Sequence, residues 1–383
     1  MMLNHKQSRV GSLTGLLRLA TQNANWRRII IISAVCVAFG LLVSAITQHS
    51  TTIADYSKEQ WQWSVGHREE KSVRLPFMWK YLQQNPQIES FVAEDGNTYE
   101  LSPDAPRWNV LGKKVLILDV DSRLDTSEGT MLNPDPLNRD TMKPRSAGIM
   151  NHMLYALRHG YDYRLVRPPN YTDRHGTWVK VPVVKEALKA YDIVVFLDSD
   201  AIFRYINLPL EWLMGHWNIT QNTLLALPID IEKRGNHDHK GNTVLNTGFL
   251  IAQQSETTQE MFRRWDACPN EEEWEGCGKW KKTFAHEQRA FSEYLRYEYS
   301  TGGRITPIPC NEANGSPIPR GNCRGVFVRH YWHNKTETVV ELYDQVTSTT
   351  IDTLHSLFQR EKDRFFVDAS HLKYPLRDGD LVL

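Results

Sequence analysis

The chain has 383 residues, long enough for one large domain or two medium ones around a sizeable core. Lys plus Arg and Asp plus Glu both number 45, so nothing in the total charge suggests a nucleic-acid partner. The charge is unevenly placed. Residues 1–28 carry Lys6, Arg9, Arg18, Arg27 and Arg28 with no acid, which leaves the remainder mildly acidic.

Residues 1–28 therefore read as a short cytosolic tail. Ile29 to Ile46 follows, apolar apart from Ser33, Gly40 and Ser44. As a helix it would span roughly 27 Å, close to the thickness of a bilayer core. The basic flank keeps the tail in the cytosol and sends the body into the lumen, as a single-pass type II signal-anchor. A cleaved signal peptide is the alternative, with Ser44-Ala45-Ile46 imitating a cleavage site. Residues 47–106 read as a stem, punctuated at its end by Pro103 and Pro106. Residues 107–383 then form the lumenal domain, with a helical C-terminal tail.

Within that domain Val115–Leu118 predicts a buried strand ending in Asp119. Ser146 is placed to cap a helix from Ala147 to His159, stopped by Gly160. Tyr163–Val166 predicts a second strand, Pro182–Ala190 a helix, and Ile193–Leu197 a third, β-branched strand. This alternation predicts an α/β fold with a βαβαβ unit and a parallel sheet. Further strands are expected over Thr223–Leu227, Val244–Ala252 and Arg324–Trp332. Helices are expected around Thr257–Trp265, Phe284–Tyr297 and Glu337 to about Phe365. Besides Cys36, the four cysteines Cys268, Cys277, Cys310 and Cys323 lie on the lumenal side and allow three pairings. The local pairs 268–277 and 310–323 close the shortest loops, and the spacings do not match a zinc site. N-x-Ser/Thr sequons stand at Asn170, Asn218, Asn314 and Asn334, the third followed by Pro317.

The chemistry is concentrated in four places. Asp198-Ser199-Asp200 directly follows an apolar strand, at the carboxyl edge where open α/β sheets bind ligands. Two carboxylates one residue apart can face one hard cation, Mn²⁺ or Mg²⁺, which neutralises a diphosphate leaving group. A late strand ends in His330, His333 and Lys335. Either histidine can complete the cation's ligand set, and the ammonium can pair with a phosphate. Asn246-Thr247-Gly248 offers sugar-bonding side chains and a close backbone approach. In the fourth, Glu287 or Gln288 can reach a reacting sugar from a helix. Asp119 and Asp121 read as the edge of a nucleotide pocket.

In chain order, Trp178-Val-Lys180-Val-Pro182, Asp198-Ser-Asp200-Ala-Ile-Phe203, Asn246-Thr-Gly248, His286-Glu-Gln288-Arg-Ala-Phe291 and His330-Tyr-Trp-His333-Asn-Lys335 resemble the galactosyl/mannosyl transferase family of fungi and plants. That family includes α-1,6-mannosyltransferases, galactomannan galactosyltransferases and xyloglucan xylosyltransferases. The resemblance runs from about Lys113 to Lys335. It implies a Rossmann-like nucleotide-sugar transferase domain of the GT-A type in the Golgi, retaining anomeric configuration without a protein nucleophile. It implies a metal set of Asp198, Asp200 and His330, with Lys180 and Lys335 on the nucleotide or diphosphate. Asn246, Gly248, Glu287 and Gln288 would line the sugar and acceptor side. The donor would be a UDP- or GDP-sugar, the acceptor a glycan or glycoprotein, and other Golgi transferases possible partners. This chain has His286-Glu287 where relatives often carry two acids. Asn334 lies inside the closing motif, so the resemblance implies that its sequon stays unmodified.

Two other classes compete. Val115-Leu-Ile-Leu-Asp119-Val-Asp121 is similar to the start of a haloacid-dehalogenase phosphatase, but Arg123 stands where Thr or Val is usual. A transferase-like scaffold without chemistry is the non-enzymatic reading. Retained carboxylates argue against it, since buried unpaired charges are costly unless a cation compensates them.

Overall fold

A computed structural model describes residues 88–317 and 323–366. The expected cytosolic tail, membrane segment, Cys36, most of the stem and residues 367–383 lie outside the described residues. Among the described residues no helix is long and apolar enough to cross a membrane.

Among the described residues, ten strands form three sheets. In chain order they are β1 (Ser90–Val92), β2 (Thr98–Glu100), β3 (Val115–Val120), β4 (Asp162–Val166), β5 (Ile193–Leu197), β6 (Ala201–Phe203), β7 (Leu225–Pro228), β8 (Phe249–Gln253), β9 (Ile305–Ile308) and β10 (Val328–His330). The main sheet runs β4-β3-β5-β8-β7-β9. Its first three strands are parallel, as the strand–helix alternation requires, whereas β8 runs antiparallel to both β5 and β7. The sheet is therefore mixed rather than wholly parallel. All five residues of β5 are buried, as expected of a strand covered on both faces. Ile193, Val195 and Leu197 alternate into one core with Val115 and Ile117.

Helix α1 (Pro144–His159) crosses from β3 to β4. It starts three residues earlier than expected because Pro144 occupies its first position, where a missing N–H costs nothing. Ser146 does not cap it; its hydroxyl donates instead to the Gly129 carbonyl at 2.8 Å. Gly160, left-handed at φ 73°, ends the helix as expected. Helix α2 (Lys180–Ala187) leads into β5, with Pro182 inside its first turn. Helices α3 (Leu210–His216), α4 (Glu256–Ala267) and α5 (His286–Ala290) follow. The helix expected over Phe284–Tyr297 begins only at His286 and opens into a π-turn over Phe291–Leu295. Helix α6 (Glu337–Arg360) packs Val339 and Leu342 beside Met142 and Ala147 of the α1 region.

The first hairpin corrects the expected stem. Ile88, Phe91, Tyr99, Leu101, Trp108 and Leu111 all pack against the main core. Residues from 88 onward thus belong to the folded body, because their aromatic side chains bury against Phe327 and Tyr205. Cys268–Cys277 and Cys310–Cys323 are bonded, as the short loops suggest.

Candidate functional site

The site is assembled at the carboxyl end of β5. That strand ends at Leu197, and Asp198-Ser199-Asp200 turns directly into β6. The Asp198 N–H donates to the Gly248 carbonyl at 2.7 Å, which fastens the turn to the start of β8. Helix α1 holds the other side. Asn151 exchanges hydrogen bonds with the backbone of Phe203, and His152 Nε2 meets the Ala201 carbonyl at 2.7 Å. A Cβ on Gly148 would lie 2.0 Å from the Ser199 carbonyl oxygen, so only glycine lets this helix approach the turn so closely.

Pairing of β10 with β6 brings in the late histidine. His330 stands opposite Ala201 in the antiparallel register, one residue from Asp200. Its Nε2 lies 3.3 Å from Asp200 Oδ1 and its Nδ1 3.2 Å from Asn314 Oδ1. That amide oxygen also accepts the Gly315 N–H at 3.1 Å. With Nδ1 against the Asn314 oxygen, Nε2 is the ring atom turned toward Asp200. A cation between them satisfies that arrangement. Asp198, Asp200 and His330 offer ligand atoms all within 4.8 Å of one another, an oxygen-rich set with one imidazole that suits a hard divalent ion. His333 is exposed on the cavity wall and is not in the group. Gly248 permits the cluster, since a Cβ there would fall 2.2 Å from His330 Cε1.

Lysines balance the acids. Lys335 Nζ reaches Asp200 Oδ2 at 2.5 Å from a half-exposed position. Burial raises the Asp200 pKa, but His330 and Lys335 outweigh it and hold the carboxyl well below the usual range. Lys180 is 3% exposed and lies beneath the cavity floor rather than on it. Its Nζ contacts Asp198 Oδ1 at 2.8 Å, Glu287 Oε1 at 3.3 Å and the Thr247 carbonyl at 3.3 Å. Burial disfavours this ammonium, yet the two carboxylates raise its pKa above the ordinary value. Its reach is taken up by Asp198 and Glu287, so a direct hold on a diphosphate is not what this position provides.

Next to the cluster opens a cavity of about 630 Å³. Asp198, Asp200, His330 and Lys335 line it together with Asn246, Glu287 and Gln288. Asn246 Oδ1 accepts the Gly248 N–H at 2.8 Å, which breaks the strand expected from Val244 so that β8 begins at Phe249. Glu287 Oε1 accepts the Thr247 hydroxyl at 2.9 Å, while Oε2 is buried with no hydrogen-bond partner among the described residues. Gln288 takes the Thr247 N–H on its oxygen at 3.3 Å and donates to Asp230 Oδ2 at 2.9 Å.

Asp119 does not line this cavity. It is 2% exposed, with one oxygen on His152 at 2.9 Å and the other accepting the Tyr163 hydroxyl at 2.8 Å. It braces α1 against the sheet. Asp121 is likewise taken up by Arg123 and Arg145. Burial raises the Asp121 pKa, but Arg123 outweighs it and holds the carboxyl below its ordinary value. Neither acid is free to act as a phosphatase nucleophile.

Sequence reading missed Asp230, Glu232, Lys233 and Asn236, which line the cavity from the segment after β7. Asp230 follows the buried strand Leu225–Pro228, the same carboxylate-after-strand signal that marked Asp198. Asn314, read only as a sequon, is fully buried and orients His330; the fold therefore denies it to glycosylation. Asn170, Asn218 and Asn334 are exposed.

Residues 130–309 match the galactosyl transferase GMA12/MNN10 family. The match bears out the resemblance read from the sequence, and with it the class, glycosyltransferase. It ends before His330 and Lys335, whose place in the site rests on geometry. Comparison with curated proteins gives no match. Among solved structures, the chain is similar to a glycosyltransferase involved in the glycosylation of the major capsid of PBCV-1. The two are 16% identical, covering 60% of this chain and 98% of that one, with a TM-score of 0.42. It is also similar to the galactosyltransferase LgtC, solved with donor and acceptor sugar analogs, at 15% identity, 61% and 95% coverage and a TM-score of 0.34.

Proposed function

We propose, from the match of residues 130–309 to a galactosyl transferase family, that this chain moves a hexose, galactose or mannose, or a pentose from a nucleoside diphosphate sugar to a glycan. The reading rests on one observation above others: Asp198, Asp200 and His330 converge in a cavity that Glu287 and Gln288 also line. In this reading the three converging side chains hold Mn²⁺ or Mg²⁺. When bound, that ion supplies Lewis-acid neutralisation of the diphosphate leaving group.

The chain's own residues do the rest. Lys335 is half-exposed beside Asp200 and would pair with a phosphate oxygen. Lys180 fixes Asp198 and Glu287 from below, which keeps both carboxylates in one orientation. Glu287 Oε2, without a hydrogen-bond partner among the described residues, would accept a sugar hydroxyl. Gln288, held by Asp230, and Asn246 would position the transferred ring. The acceptor hydroxyl attacks the anomeric carbon as the sugar–phosphate bond breaks; its proton passes to the departing diphosphate on the same face, so configuration is retained.

Location completes the proposal. The basic tail and apolar segment argue for a type II anchor in the Golgi membrane, and two disulfides suit an oxidising lumen. The test is nucleotide release by the full-length chain in detergent from a panel of UDP- and GDP-sugars, with Mn²⁺ or EDTA. Metal-dependent release from one donor, abolished by Asp200→Asn, supports the reading and names the sugar. Release that is equal in EDTA, or retained by Asp200→Asn, contradicts it.

A further inference from the structure

The lip of the cavity carries a feature that the transfer chemistry does not use. Phe284 is 78% exposed, the most exposed aromatic ring on the cavity wall. Leaving such a ring in water forgoes burial that most phenylalanines obtain. It sits three residues before Glu287 and is followed by Ala285 and His286, which also line the cavity.

The lip is built rather than loose. The His286 ring stacks on His175 with centroids 3.7 Å apart and planes within 2°. Phe284 meets His286 edge-on at 6.0 Å. The His175 N–H donates to the Lys281 carbonyl at 2.8 Å, which ties the two loops together. His286 itself adopts φ 53°, a left-handed conformation uncommon for a side chain of this size. Thr177, hydrogen-bonded to His175, lines the same side and adds a polar group beside the rings.

An exposed aromatic face next to hydroxyl-bonding groups matches a pyranose ring, which has an apolar C–H face and a polar edge. Its place in the chain agrees. Asp198, Asp200, His330 and Lys335 supply the groups suited to a diphosphate, and Phe284 stands three residues before Glu287 on the lining of the same cavity. We infer that Phe284, backed by the His286–His175 stack, is the platform on which a pyranose ring of the acceptor glycan lies. This inference rests on the transferase reading and names its acceptor subsite.

The test uses two probes of different ring geometry, mannotetraose and cellotetraose, with the full-length chain, UDP or GDP and Mn²⁺. Saturation-transfer NMR is recorded for the wild type, Phe284→Ala and Phe284→Trp, together with thermal melts. We expect ring C–H protons of at least one probe to receive saturation. Its dissociation constant should rise about tenfold in Phe284→Ala, as loss of one aromatic stack implies, and Phe284→Trp should restore it. Failure of both probes to contact the wild type overturns the platform, as does a dissociation constant unchanged in a folded Phe284→Ala. Donor cleavage measured in parallel separates the two ideas: a chain that cleaves a donor but binds glycan equally well without Phe284 loses only this inference. A chain that binds glycan through Phe284 and cleaves no donor loses the transferase reading instead.

Discussion

Replacing Gly248 with alanine probes the cluster without touching a ligand. The new Cβ would stand 2.2 Å from His330 Cε1 and under 3 Å from both ring nitrogens. Ordinary contact needs about 3.5 Å, so the imidazole must retreat by more than roughly 1 Å. It has nowhere to go. Asn314 and Asp200 flank the ring at 3.2 and 3.3 Å, and the His330 and Tyr331 N–H groups are bonded to Gly315 and Asp200. Overpacking of this kind costs about 1–3 kcal/mol of stability. Displacing the ring should weaken cation binding about 10–100-fold, the usual penalty for disturbing a ligand's orientation. Titration of Mn²⁺, followed by the electron paramagnetic resonance of the free ion, reads this directly. A folded Gly248→Ala variant that binds Mn²⁺ as tightly as the wild type would refute the reasoning.

Other outcomes follow from the same packing. Gly148→Ala should destabilise by about 1–3 kcal/mol in denaturant melts, although alanine is the better helix former, because its Cβ meets the Ser199 backbone; equal or greater stability would contradict this. His330→Ala should abolish Mn²⁺ binding, whereas His333→Ala should leave it within a few-fold of wild type; the same titration distinguishes them. His159 is buried, and burial followed by the nearby Arg158 charge lowers its pKa to about 3. The unfolded chain, with a histidine pKa of about 6.5, binds the proton that the folded chain refuses. Stability should therefore fall on the order of 1 kcal/mol per pH unit from about 6.5 down to about 3, and His159→Asn should flatten the dependence in pH-resolved melts.

What could be read from the sequence was local. A buried β-branched strand running into Asp198-Ser199-Asp200 carries its meaning in a few consecutive residues, and so does the strand–helix rhythm from Val115 to Leu197. The choice between His330 and His333 was not local. It is made by the pairing of β10 with β6, more than a hundred residues apart in the chain. Lys180 was legible as a basic residue in a motif, but its burial under Asp198 and Glu287 depends on how α2 meets β5 and β8. The place of Asp119 is non-local for a related reason: a strand-end carboxylate faces a ligand or a neighbouring helix according to what packs above it. Here α1 supplies His152 and β4 supplies Tyr163, and both carboxylate oxygens are consumed. The first hairpin resembles a stem in sequence because its aromatic residues are sparse there and gather only against Phe327 and Tyr205.

The most direct test of the cation site is anomalous diffraction from a crystal of the protein grown with Mn²⁺ and UDP or GDP. The arrangement of Asp198, Asp200 and His330 predicts one strong manganese peak among those three side chains, with the diphosphate extending toward Lys335. A peak held instead by His333, or none at the cluster at saturating Mn²⁺, would contradict it.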